Sequence, residues 1–189
     1  AFALVRPPGH HAHADHESGF CVFNNMAIAA EYLRQRGERV MIVDADLHLG
    51  DGTLEYAEGR EGIFYFSINQ KDIWPGIVPP PTNNTQNIFL PEGTTDDVYI
   101  KTLEEKLVPA LKSFNPTIVA VSAGFDTMGT DYGELNERVG FALTNRSYYR
   151  LWEILDEQLV PYFMVLEGGY NPLSILYGVL SFFNKENQE

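Results

Sequence analysis

Apolar and polar positions follow two rhythms along this chain. Short unbroken apolar runs, the mark of strands buried on both faces, alternate with longer stretches that repeat at helical spacing. Residues 22–36 (VFNNMAIAAEYLRQR) predict a helix with Ala, Ile and Leu on one face, ended by Gly37. Residues 40–43 (VMIV) predict a strand that runs into Asp44 and Asp46, and residues 62–67 (GIFYFS) a second. A proline-rich loop follows from Pro75 to Pro81. Residues 98–114 predict a long helix with Leu103, Leu107 and Leu111 in register. Residues 117–122 (TIVAVS) predict a third strand, 145–158 another helix, and 162–166 (YFMVL) a fourth strand.

Apolar strands separated by helices predict an α/β fold with a parallel sheet flanked by helices. Ligands bind such sheets beyond the carboxyl ends of the strands. Here three strands end in polar, functional-looking residues: Asp44, Asp46 and His48; then Asp126; then Tyr170. Residues far apart in sequence would therefore meet at one sheet edge.

Composition narrows the function classes. The 189 residues are 44% hydrophobic and 13% aromatic, as in a globular domain. The net charge of −13 argues against nucleic-acid binding by a basic face. It suits cationic ligands such as lysine-rich peptides and polyamines, and equally a plain solubility role. The single Cys21 excludes an internal disulfide framework. No apolar run is long enough to span a bilayer, and no signal peptide is legible, so the expected setting is cytoplasmic.

Residues two apart in an extended segment point the same way. Asp46 and His48 can thus share one ion, with Asp126 as a third ligand from another strand. That is the ligand number of a catalytic zinc site with one position open. A metal-bound water needs a base, and a leaving amine needs an acid. The adjacent pair His10 and His11 could divide these tasks, with Asp44 and Asp51 as spare carboxylates to orient them. His13 and His16 are expected to face solvent. The Tyr170 phenol could donate to a developing oxyanion. Phe20 and Trp74 sit in loops, where two aromatic walls could grip an alkyl chain.

Seven stretches, RPPGHHA, SGFCVFNN, VDADLHLGDGT, FSIN, WPG, SAGFD and LEGGY, occur in an order that resembles the histone deacetylase superfamily. That superfamily includes acetylpolyamine amidohydrolases and acetoin-utilization proteins. The resemblance runs from Arg6 to about Tyr170. It implies a three-layer arginase/deacetylase-type α/β fold, with residues 1–189 as one deacetylase-type catalytic domain. It implies one zinc ion on Asp46, His48 and Asp126. His11 would be the general base and acid with Asp51 as its partner. His10, paired with Asp44, would act mainly electrostatically. Tyr170 would polarise the amide carbonyl, and Gly19, Phe20, Trp74 and Gly168 would line an acyl-lysine tunnel. A potassium ion would sit among the carbonyls of Asp44, Asp46, His48 and Ile68, with Ser67. The implied reaction releases acetate from acetyl-lysine or an acetylated polyamine, in a monomer or a homo-oligomer.

The sequence departs from the pattern at Leu49, where a second histidine is usual, at Asn25, at Asn69, and along 127–135. The chain also starts just before the His-His motif and ends early, which predicts a fragment or a short form. Two other readings remain: an inactive acyl-amine-binding relative, and a binuclear ureohydrolase of the same fold. The latter needs an Asp-x-His-x-Asp string that this chain lacks.

Overall fold

Each central strand sends alternate side chains into two separate cores, as a sheet covered on both faces requires. In the computed structural model, residues 1–131 and 140–183 are described. Tyr132 to Leu135 of the divergent stretch, and the C-terminal residues 184–189, lie outside them. The chain runs β1 (Phe2–Ala3), α1 (Asn25–Arg34), β2 (Val40–Asp44), α2 (Asp51–Ala57), β3 (Ile63–Gln70) and β4 (Thr85–Leu90). It continues through α3 (Asp96–Thr102), a π-helical turn (Leu103–Leu107) and α4 (Val108–Phe114). Last come β5 (Ile118–Ala123), α5 (Asn145–Glu157), β6 (Tyr162–Leu166) and α6 (Pro172–Phe183).

Val40, Ile42, Ile63, Tyr65, Ala120 and Val165 pack with Met26 and Ala30 of α1 and Leu54 and Ala57 of α2. Met41, Val43, Phe66, Val119, Val121 and Met164 pack on the other side, against Leu103, Leu107 and Leu111 and against Leu151, Trp152 and Leu155 of α5. The result is helices, sheet, helices.

All strand pairs are parallel, in the order β1-β6-β5-β2-β3-β4. The chain builds outward from β2 to β4, then returns to lay β5 on the other side of β2. The direction of winding reverses between β2 and β5, and there the loops beyond the strands part to leave a crevice.

The expected elements are present with trimmed ends. Asn24 caps α1 by accepting from Ala27 N at 2.9 Å, which starts the helix later than residue 22. The long helix from residue 98 starts at Asp96, and its π-helical turn lies directly before Pro109, which has no N–H for the ladder. Four elements were not anticipated. Helix α2 is too short for a periodic signal, and two-residue β1 is defined only by its pairing with β6. Edge strand β4 has one fully buried residue, Thr85. Helix α6 is apolar on nearly every face, so it shows no clear stripe. Among the described residues no helix is long and apolar enough to cross a membrane.

Gly178 of α6 lies against the fully buried Phe125, whose ring also meets Phe2 and Tyr148. A Cβ on Gly178 would fall 2.2 Å from that ring. Gly178→Ala should gain up to about 1 kcal/mol of helix propensity. It should lose more than that to overpacking, which costs about 1–3 kcal/mol. We expect a lower urea unfolding midpoint. A midpoint at or above the parent's would show that the ring can move aside.

Candidate active site

Strands β2, β5 and β6 end side by side, and their next residues turn into the crevice. Asp46 and His48 follow β2, Asp126 follows β5, and Gly168 follows β6. Backbone N–H groups hold both carboxylates. Asp46 Oδ2 accepts from Gly168 N at 2.8 Å, and Asp126 Oδ1 accepts from Leu47 N at 3.0 Å. The close approach explains Gly168: a Cβ there would lie 2.6 Å from Asp46 Oδ2 and 2.8 Å from Asp126 Oδ2.

One ligand atom from each of Asp46, His48 and Asp126 lies within 4.8 Å of the others. His48 Nδ1 is 3.0 Å from Asp126 Oδ2 and 3.4 Å from Asp46 Oδ1. A tetrahedral ion with bonds of about 2.0–2.1 Å spaces its ligand atoms about 3.3 Å apart. The donor set therefore fits such an ion. Its electrostatics ask for one too. Burial and the charge of Asp46 push the Asp126 carboxyl up to about 6. Burial works against a charge on His48, yet its hydrogen bonds to Asp126 and Asp46 carry it up to about 10. Two buried carboxylates around one imidazole demand positive charge.

The loop between β1 and α1 brings His10 and His11 over this group. Helix α2 fixes the loop from below. Thr53 N donates to His10 O at 3.0 Å, and a Cβ on Gly52 would fall 2.2 Å from Ala12 O. His10 Nδ1 lies 3.0 Å from Asp44 Oδ2, and His11 Nδ1 lies 2.8 Å from Asp51 Oδ1. The two rings, 3.9 Å apart, are pushed in opposite directions. Burial disfavours a charge on His10, but Asp46, Asp44 and Glu167 overcome it and hold it well above 6.5. Burial and the neighbouring His10 charge lower His11, against the pull of Asp51. The surroundings thus favour the charged form of His10 and the neutral form of His11. With Nδ1 committed to Asp51, Nε2 is the His11 nitrogen left to take a proton.

A cavity of about 460 Å³ opens above these groups. Its rim carries Phe20, Trp74 and Tyr170. Trp74 stands edge-on to His11 with ring centres 4.4 Å apart, and Phe20 stands edge-on to Tyr170 at 6.0 Å. Gly19 has φ +50°, and a Cβ there would meet His11 at 2.5 Å and Trp74 at 2.6 Å. Burial of the phenol and the Asp46 charge push Tyr170 up to about 12, so it stays a donor. Arg6 holds its turn: the guanidinium donates to Glu167 O and Gly169 O and lies over the Tyr170 ring.

Ser67, Ile68, Asp44, Asp46 and His48 also lie together, but with Asn69 among them. Asn69 Nδ2 donates to Asp46 O at 3.1 Å and to His48 O at 3.0 Å. Ser67 Oγ lies 2.6 Å from Asn69 Oδ1 and 2.9 Å from Asn87 Oδ1. The Asn69 contacts tie the two carbonyls together beside the position where the resemblance implies a potassium ion.

Several residues escaped the sequence reading. Glu167 is fully buried, and its carboxylate accepts from Gly9 N, His10 N and Ser122 Oγ, tying β6 to the histidine loop. Its place at a strand end was a usable signal. Tyr65 Oη donates to Asp44 Oδ2 at 2.9 Å, a contact no spacing rule reveals. Leu49 is buried in the α1/α2 core, which explains an apolar residue there. His16 is exposed as expected, but His13 is not. Its side chain is 15% exposed and lies between Asp51 and Glu55, which α2 presents one turn apart.

The histone deacetylase domain family matches residues 1–185. A probable deacetylase of Archaeoglobus fulgidus is 37% identical over 90% of this chain and 50% of its own length. The acetylpolyamine amidohydrolase of Burkholderia pseudomallei is 32% identical over 97% of this chain and 55% of its own. A crystal structure of the acetylpolyamine aminohydrolase from Burkholderia pseudomallei superposes with a TM-score of 0.86 at 32% identity, over 97% of this chain and 55% of that one. The chain thus spans about half the length of these relatives. With the sheet, the strand-end residues and the match all in agreement, the chain belongs to the histone deacetylase superfamily and has its arginase/deacetylase-type α/β fold.

Proposed function

We propose that this site hydrolyses the acetyl amide of an acetylated amine, acetyl-lysine or an acetylpolyamine, with one zinc ion. The observation that carries the reading is the convergence of Asp46, His48 and Asp126 beside the Asp51-bound His11 at the floor of the cavity. Zinc on those three residues would supply Lewis acidity toward the carbonyl and a water that ionises near neutral pH.

The chain's own groups supply the rest. Phe20 and Trp74 receive the alkyl chain and keep water from its flanks. Tyr170 Oη donates to the carbonyl oxygen as it gains charge. His11 Nε2 takes a proton from the attacking water, while Asp51 holds the Nδ1–H and steadies the imidazolium. The C–N bond breaks, a protonated histidine gives its proton to the amine, and acetate and free amine leave. His10, held by Asp44, acts on the site through its charge. The chain's −13 charge favours cationic amine substrates.

The test is acetate release from acetyl-lysine peptides and acetylpolyamines, with metal analysis on the same sample. We expect one zinc per chain and turnover of at least one substrate class. Zinc-loaded protein inert toward both would instead favour an acyl-amine-binding role, and two metals per chain a ureohydrolase-like site.

Activity should also fall as pH drops through the His11 value, since the base is lost on protonation. Burial and His10 lower that value, so the acid limb of kcat/KM should lie below 6.5. A limb well above 6.5 would remove His11 as the base.

A further inference from the structure

His13 and Glu55 lie behind Asp51, on the side away from the cavity. His11 lies in a turn closed by Ala12 N on Gly9 O, and His13 follows two residues on. Below them, α2 presents Asp51 and Glu55 one turn apart. The contacts run in a line. His11 Nδ1 meets Asp51 Oδ1 at 2.8 Å, Asp51 Oδ2 meets His13 Nε2 at 3.3 Å, and His13 Nδ1 meets Glu55 Oε2 at 2.5 Å. The line ends at the surface, where the Glu55 side chain is 52% exposed.

We propose that His13 is a positioning residue for His11, gripping the outer oxygen of Asp51 and sharing its negative charge while Glu55 holds His13 in place. This rests on the reading of His11 as the base. The distances rank the two contacts. The 2.8 Å bond to His11 dominates, and the 3.3 Å bond to His13 adjusts it rather than replacing it.

The charge on His13 follows from its neighbours. Both ring nitrogens face carboxylates, so both donate. Partial burial works against its charge, but Glu55 and Asp51 outweigh this and hold it above 6.5. His16 stacks on it at 4.2 Å, itself paired with Asp15. Glu17 lines the same cleft, as does Glu31 of α1, whose carboxylate is bound by Arg34 and Tyr56. A cation on Asp51 weakens the pull of that carboxylate on the His11 proton, keeping His11 a free base to lower pH.

The test follows the His11 ring through pH by NMR in the zinc-loaded protein, beside the pH profile of kcat/KM. His13→Gln removes the charge and keeps a donor. It should raise the His11 titration and the acid limb together by about half a pH unit, the scale of one partly screened charge. Above the limb, kcat and KM should stay within about twofold and zinc content should not change. Glu55→Gln removes a negative charge while Asp51 still faces His13, so it should raise neither value. His13→Lys should restore the parent profile in part. An unchanged or lowered His11 titration in His13→Gln would overturn the proposal. Because the NMR titration needs no turnover, it decides the role of His13 even if the acetate assay fails.

Discussion

Asp126→Ala should leave a folded chain that no longer holds zinc. The variant removes one of three converging ligand atoms and leaves Asp46 and His48. Even partners that only orient metal ligands are worth about 10–100-fold in affinity, so loss of a ligand should exceed about 100-fold. The fold has reason to survive. Burial and Asp46 already push the Asp126 carboxyl up to about 6, so the metal-free protein carries a repulsion there that alanine relieves. The losses are the hydrogen bonds from Leu47 N and His48 Nδ1. A ligand that binds only the folded state raises its stability with concentration. Added zinc should therefore raise the melting temperature of the parent but not of Asp126→Ala, and elemental analysis should agree. Unchanged zinc occupancy would remove Asp126 from the site.

His11→Ala and Tyr170→Phe should keep the metal and lose the reaction. Neither residue offers an atom to the ligand group. A positioned general base contributes about 10²–10⁴-fold, so His11→Ala should cut kcat/KM by that range. A donor to a developing oxyanion is worth about 10²–10³-fold, and Tyr170→Phe deletes only that hydroxyl. The ring of Tyr170 also packs against Phe20 and Arg6, which phenylalanine preserves, so KM should change little. Steady-state rates on zinc-matched samples separate these effects. If both variants kept full activity, the chemistry proposed for this cavity would be wrong.

Much of the site was legible because its residues stand at the ends of apolar runs. A buried strand announces itself by composition, and a carboxylate at its end has few structural reasons to be there. Asp46, His48 and Asp126 were found this way, and Glu167 could have been by the same rule. Trp74 and Phe20 were visible only as aromatics in loops, a weak signal until the cavity gave them a wall to form. His13 was misplaced because a lone histidine in a polar loop reads as solvated. Helix α2, too short to detect by period, puts Asp51 and Glu55 beneath it.

The sequence by itself determined the class of the sheet, the family resemblance and the strand-end triad, because these depend on local period and on motifs read residue by residue. Tertiary structure alone decided the winding reversal between β2 and β5, the edge strands β1 and β4, and the opposite proton affinities of His10 and His11. It also decided that Asn69 reaches the carbonyls of Asp46 and His48. Those features depend on which groups face each other across 20 to 160 residues of chain, and on how much water is left between them. Neither is written in local spacing, since burial and Coulomb interaction act on separation in space.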